Sequence, residues 1–144
     1  MVSVDVTAPL YFFKEWDTYK VATTTNSTST MWKLASTPIT RECFEFGDYS
    51  EKEGLDNFWS ELINYLELIR QTFNKTKDKA DWKELIRLLP ESWLQTRHWT
   101  GNYQVLRNMY FDRRNHKLTE WSKDFVGWVE QLPYAKELIM YEGN

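Results

Sequence analysis

A chain of 144 residues is expected to bury a real core as one domain, and its 17% aromatic content argues against disorder. Charges of both signs are interspersed and sum to -3, which gives no general support for nucleic-acid binding, a function that favours a basic field. The single cysteine, Cys43, excludes an internal disulfide, and no membrane-length apolar run or secretory leader is read at the start, so a cytoplasmic location is expected.

Val2, Val4 and Val6 alternate with Ser3, Asp5 and Thr7, the period of a short strand that Pro9 ends or turns into a helix start. Leu10–Lys20 fits strand or helix, and Phe12, Phe13 and Trp16 with Lys20 fit one helical face better. After a cationic turn at Lys20, every residue from Thr23 to Thr30 carries a hydroxyl or an amide, between the aromatic run and Met31–Trp32. Polar groups held between apolar flanks must find partners, so this stretch reads as the lining of a cavity rather than a linker. Phe44 and Phe46 are expected to tuck beneath the turns at Thr37-Pro38 and Gly47-Asp48.

From Leu55 onward, Phe58, Leu62, Tyr65, Leu66, Ile69 and Phe73 recur at helical spacing and predict an amphipathic helix of roughly five turns. Residues 74–81, NKTKDKAD, read as a solvated turn in which Asp78 or Asp81 caps the next helix. That helix carries Trp82, Leu85, Ile86 and Leu89 and stops at Pro90. Thr100 is the expected cap of a helix from about Asn102 to Arg114. Another begins at Leu118 or Thr119, lines up Trp121, Phe125, Trp128 and Val129, and ends before Pro133; Tyr134–Tyr141 predicts a last short one. The class is α+β, mainly helical with a small sheet.

Metal and nucleophile patterns are absent from the sequence. His98 and His116 are isolated, Cys43 reads as a buried or inert thiol, and no glycine-rich phosphate loop occurs. Asn102, Leu106, Met109 and Arg113 share one helical face, with Arg107 and Arg114 on the next. Cations on such a face need an anionic or carbonyl-rich partner; Asp112, Glu120 and Asp124 are the candidates within the protein. Trp59, Trp82, Trp93, Trp121 and Trp128 read as packing, and Lys75, Lys77 and Lys79 as a solvated turn.

Two stretches carry a family resemblance. Residues 8–34, APLYFFKEWDTYKVATTTNSTSTMWKL, resemble the segment of flavin-dependent thymidylate synthases that holds their Arg-His-Arg and serine signature, with Ala8, Pro9 and Trp16 matching. Residues 88–121 resemble the second signature through Leu89-Pro90, Thr96-Arg97, Asn102, Leu106, Arg114 and Trp121. The likeness runs from about Thr7 to Val129 and extends to short phage and prophage proteins of that family. Against the pattern, Thr18, Tyr19 and Lys20 stand where the family has Arg-His-Arg. Thr23 and Thr28 keep the serine hydroxyls, Thr25-Asn26 replace Asn-Glu, Thr30 replaces an Arg, and Lys123-Asp124 follow where another Arg belongs.

The resemblance implies an N-terminally shortened relative with the family fold, a nucleotide or flavin ligand, FAD as cofactor and a homo-oligomeric assembly. It implies flavin contacts from Lys20, Asn26, Asp112, Arg113 and Arg114, and nucleotide contacts from Thr23, Thr28, Arg97 and Asn102. It assigns no catalytic residue and no metal. The family passes a methylene from a folate to dUMP and a hydride from reduced flavin, using cations of which several are missing here. Two alternatives on the same fold are a non-catalytic phage protein that binds a host or defence protein, and a nucleotide sponge.

Overall fold

Alternating valines and polar residues build β1, Val2–Pro9, in which Val2, Val4 and Val6 are half-buried while Ser3, Asp5 and Thr7 face solvent. The computed structural model describes residues 1–20, 23–27, 34–47 and 50–143. These form two compact units, Met1–Asn26 with Thr96–Asn144, and Ser27–Gln95. Pro9 closes β1 at φ -68° and is the N-cap of α1, Leu10–Trp16, which buries Phe12, Phe13 and Trp16. Proline suits this junction, because its fixed φ is acceptable both in extended chain and at a helix entry.

The stretch before Asn102 departs from the sequence expectation. It is a strand, β3, Leu94–Gly101, and lies in the middle of a three-stranded sheet between β1 and the edge strand β2, Thr24–Ser27. Thr100 caps no helix. Its hydroxyl meets that of Ser3 at 2.9 Å, His98 Nδ1 lies 2.8 Å from Asp5 Oδ1, and the Thr7 and Thr96 hydroxyls are 2.7 Å apart. These cross-strand pairs run antiparallel and give β3 its polar face. The cap falls two residues later, where Asn102 Oδ1 accepts the Val105 N–H at 2.9 Å and opens α4, Tyr103–Arg113. Between α1 and β3 lie the helices α2, Leu55–Thr76, and α3, Lys79–Leu88.

Downstream, a π-helical turn, Glu120–Phe125, runs directly into α5, Val126–Glu130, and α6 follows at Ala135–Leu138. The sequence face of Trp121, Phe125 and Val129 is buried as expected, and Trp128 is half-buried. In this unit the core is aromatic. Phe12 stacks on Trp121 with centroids 4.4 Å apart, and Trp16 packs against Trp99 at 5.3 Å and Trp121 at 5.8 Å. Each such pair contributes about 0.5–1.5 kcal/mol beyond the area it buries. Leu106 and Met109 of α4 close the other side.

In the second unit α2 pairs with α3, and Asp78 caps α3 by accepting the Ala80 N–H at 2.9 Å. The buried residues of α2 are Ile63 and Leu66, so its buried arc is rotated from the predicted stripe. Phe58 and Tyr65 are 59% and 58% exposed, because the apolar arc of the sequence is wider than this unit covers. Trp93 belongs to no helix: it bridges to Phe44, which packs on it at 5.4 Å, and Phe46 meets Trp59 at 5.0 Å. Cys43 is a partly exposed free thiol.

Glu67 ties segment 34–47 to α2. Arg70 donates to both its oxygens at 2.7 and 2.6 Å, and the Ile39 N–H adds a third bond at 2.7 Å. The Arg70 hydrogen bonds, helped by that amide, pull the Glu67 carboxyl from 4.5 down to about 2. A carboxyl depressed in the fold stabilises it above the unfolded value and loses that contribution as pH falls towards the folded one. Urea unfolding of the native protein is therefore expected to weaken between pH 4.5 and 2 more steeply than that of Glu67→Gln; parallel curves would remove Glu67 from the acid response.

Gly101 makes room for a core ring, since a Cβ there would stand 2.3 Å from Trp99 Cη2, and Trp99 is 1% exposed. Gly101→Ala is expected to cost about 1–3 kcal/mol by overpacking, read as a lower urea midpoint at unchanged slope.

Candidate functional site

Beyond Trp16 the chain leaves α1 in a tight turn stitched by its own hydroxyls. Thr18 Oγ1 donates to the Glu15 carbonyl at 2.7 Å, and Thr23 Oγ1 donates to the Tyr19 carbonyl at 2.8 Å. Such local side-chain bonds favour turns over continued helix. The turn stands beside α4, and together they enclose an open cleft of about 580 Å³. Thr18, Tyr19 and Lys20 form one wall; Arg107, Phe111 and Asp112 form the other. Apolar ring surface, two cations, a carboxylate and the nearby Asn108 amide thus converge on one space.

A hydrogen-bonded chain runs back from the cleft. Tyr19 Oη donates to Asp112 Oδ2 at 3.0 Å and accepts from Arg113 Nε at 3.0 Å. Arg113 Nη1 reaches Glu15 Oε2 at 3.1 Å, and His116 Nε2 approaches the same oxygen at 2.9 Å. His116 Nδ1 accepts the Leu118 N–H at 3.0 Å, which leaves the neutral ring's proton on Nε2, facing Glu15. The Tyr19 phenol is pushed up from 10.0, chiefly by burial and also by Asp112, with Arg113 opposing. Arg113 also lies 5.2 Å over the Trp121 ring, so the chain rests on the core.

Of the residues singled out in the sequence, Lys20 and Asp112 share the cleft, and Arg113 stands behind it through Tyr19. Arg97 is held by Asp17 Oδ1 at 2.5 Å and lies 4.1 Å over Phe13. Asn102 caps α4, Arg114 pairs with Glu142 at 2.9 Å, and Thr23 bonds its own turn. Asn26 lies in β2, and Thr28 is outside the described residues. The partners of Arg113 and Arg114 are thus Glu15 and Glu142 rather than Asp112, Glu120 or Asp124. Contacts from α1 and from the last residues of the chain reach α4 first, and Glu120 is instead engaged by the Tyr11 hydroxyl.

Tyr19, Arg107, Asn108 and Phe111 are among the cleft residues to which the sequence assigns no ligand contact. The i,i+4 pairs Arg107–Phe111 and Asn108–Asp112 put one side of α4 towards a ligand-sized space, a signal present in the spacing. Among the described residues no group of three His, Cys, Asp or Glu side chains is arranged to hold a metal ion, and no helix is long and apolar enough to cross a membrane.

The chain is similar to two crystal structures of the flavin-dependent thymidylate synthase ThyX from Helicobacter pylori, both with FAD and dUMP. The TM-scores are 0.65 and 0.64 at 13% identity, covering 94% and 95% of this chain and 70% and 69% of those chains. The chain has the ThyX fold. No protein-family model matches the sequence, and neither does any curated protein.

Within this ThyX-like fold, Glu15 is the carboxylate on which Arg113 and His116 converge. Glu15→Gln is expected to lower stability by about 1–3 kcal/mol, because the guanidinium loses a charged acceptor. Chemical denaturation at neutral pH measures this; a change within a few tenths of a kcal/mol would mean that the chain of bonds adds nothing to the fold.

Proposed function

We propose that the protein is a ThyX-like binder of a nucleotide or flavin that does not run the full synthase reaction. The observation that carries the reading is the cleft between the Thr18–Lys20 turn and α4. A flavin or nucleotide needs a flat apolar surface for its ring and a cation for its phosphate. Phe111 and the Tyr19 ring suit the first, and Lys20 with Arg107 suits the second. Asn108 and Asp112 supply donors and acceptors for a ring edge. These residues fit such a ligand, and FAD and dUMP are the ligands of the ThyX structures. A bound flavin would supply hydride chemistry.

The charge arrangement supports binding without the parent chemistry. Lys20 is a point charge and cannot offer the planar fork of an arginine. Arg97 and Arg113 are engaged by Asp17 and Glu15, so their guanidinium groups act as struts. A reaction that must hold a phosphate and polarise a pyrimidine ring needs preorganised cations aimed at the substrate.

A second reading, an interaction protein on the same fold, is favoured by one observation. Phe58, Tyr65 and Leu68 of α2 are 59%, 58% and 57% exposed, a large apolar stripe of the kind that marks protein contacts. The same stripe supports self-association into a homo-oligomer.

Addition of dUMP or FAD at about a hundred times its dissociation constant is expected to stabilise the native protein by about 2.7 kcal/mol, read as a raised melting temperature. Lys20→Ala should abolish the shift, whereas Arg97→Ala should lower the starting melting temperature and keep the shift. If neither ligand moves the transition, the binding reading fails. A specific protein complex that survives Lys20→Ala and is lost in Tyr65→Asp would favour the second reading.

A further inference from the structure

The residues after α6 are folded back across α4. Arg107 Nη1 donates to the carbonyls of Ile139 at 2.9 Å and Tyr141 at 2.5 Å, and its guanidinium lies 3.7 Å over the Tyr141 ring. Two turns further along, at the C-cap of α4, Arg114 pairs with the Glu142 carboxylate at 2.9 Å. Both arginines also cover Phe111, at 4.6 and 4.8 Å. Phe111 and Arg107 are themselves walls of the cleft.

An aromatic ring on one guanidinium and an anionic oxygen on the next is the contact set that a nucleotide would make. Here Tyr141 and Glu142 make it. We propose that segment 139–142 is a displaceable strap, a built-in mimic of a ligand with an aromatic ring and an anionic group, which competes with that ligand for Arg107 and Arg114. The proposal rests on the reading of the cleft as a nucleotide or flavin site.

The strap has a firm end and a loose end. Ile139 is fully buried and anchors it to the core of its unit. Beyond it, Tyr141 is 42% exposed, and the side chains of Arg114 and Glu142 are 39% and 70% exposed. Exposed ion pairs are weak and screened by salt, and a solvated ring–guanidinium contact adds little more. The outer end can therefore swing away from Met140 at small cost while Ile139 stays packed. Release frees Arg114 and removes the Tyr141 ring and carbonyl from Arg107, which opens the Arg107 side of the cleft. The Arg107 bond to the Ile139 carbonyl is retained, so the guanidinium stays positioned.

The test compares the native protein with the double variant Tyr141→Ala/Glu142→Gln, titrated with dUMP at low salt by calorimetry. The variant is expected to bind about three- to tenfold more tightly, the worth of one exposed pair and one ring contact. In hydrogen exchange, saturating dUMP should deprotect residues 140–143 of the native protein. Equal or weaker binding by the variant, or unchanged exchange at saturation, overturns the strap and leaves the cleft reading standing. If the native protein does not bind dUMP, the strap falls, and the cleft reading falls with it if FAD fails as well.

Discussion

The position of α1 sets the geometry of the first unit, and aromatic burial sets the position of α1. Seven residues are too few for a stable isolated helix, so α1 exists because Phe12, Phe13 and Trp16 are buried. Trp99 reaches this cluster from β3, and Trp121 and Phe125 reach it from the π-helical turn. Burial dominates strongly enough that the indole N–H groups of Trp16 and Trp121 are enclosed with no protein hydrogen-bond acceptor. Each such group costs about 1–3 kcal/mol, which the stacked rings around it must exceed. Once α1 is seated, the turn after it has one place to go, and the cleft beside α4 follows.

Charge then refines what burial has placed. Arg97 from β3 and Arg113 from α4 take hold of Asp17 and Glu15 near the end of α1. Each arginine also lies on a ring of the core, Phe13 for one and Trp121 for the other. The pairs therefore resist rotation of α1 about its own axis, which non-directional packing alone would permit. The same arrangement commits these cations to the protein. An arginine in the right order along the chain is available to a ligand only if no carboxylate of the fold reaches it first.

This separates what can be read from a sequence from what cannot. β1, α2, α3 and the face carrying Trp121, Phe125 and Val129 are encoded by local periodicity and were legible. β3 was not, because its polar face has meaning only opposite Ser3, Asp5 and Thr7, nearly a hundred residues away, and Thr100 beside Asn102 imitates a helix cap. The hydroxyl-rich stretch was legible as polar groups in need of partners. Thr23 finds them in the carbonyls of its own turn, and residues 24–27 form an edge strand. In the cleft, Lys20 and Asp112 are the positions that the family resemblance singles out. Tyr19 is not among them, since its bond to Asp112 spans 93 positions and depends on α4 lying against the turn.

At 13% identity the fold persists because its determinants are tolerant. A buried cluster requires apolar volume in roughly the right place, and Phe, Trp, Leu and Met can share that duty. Recognition of a phosphate is not tolerant in this way: it needs guanidinium or ammonium groups that are both correctly aimed and uncommitted. The first wall of the cleft, Thr18, Tyr19 and Lys20, carries a single cation beside an aromatic ring. Meanwhile Glu15 and Asp17 draw two arginines into the framework. Fold and chemistry can therefore diverge independently, because one depends on how much surface is buried and the other on which charges remain free.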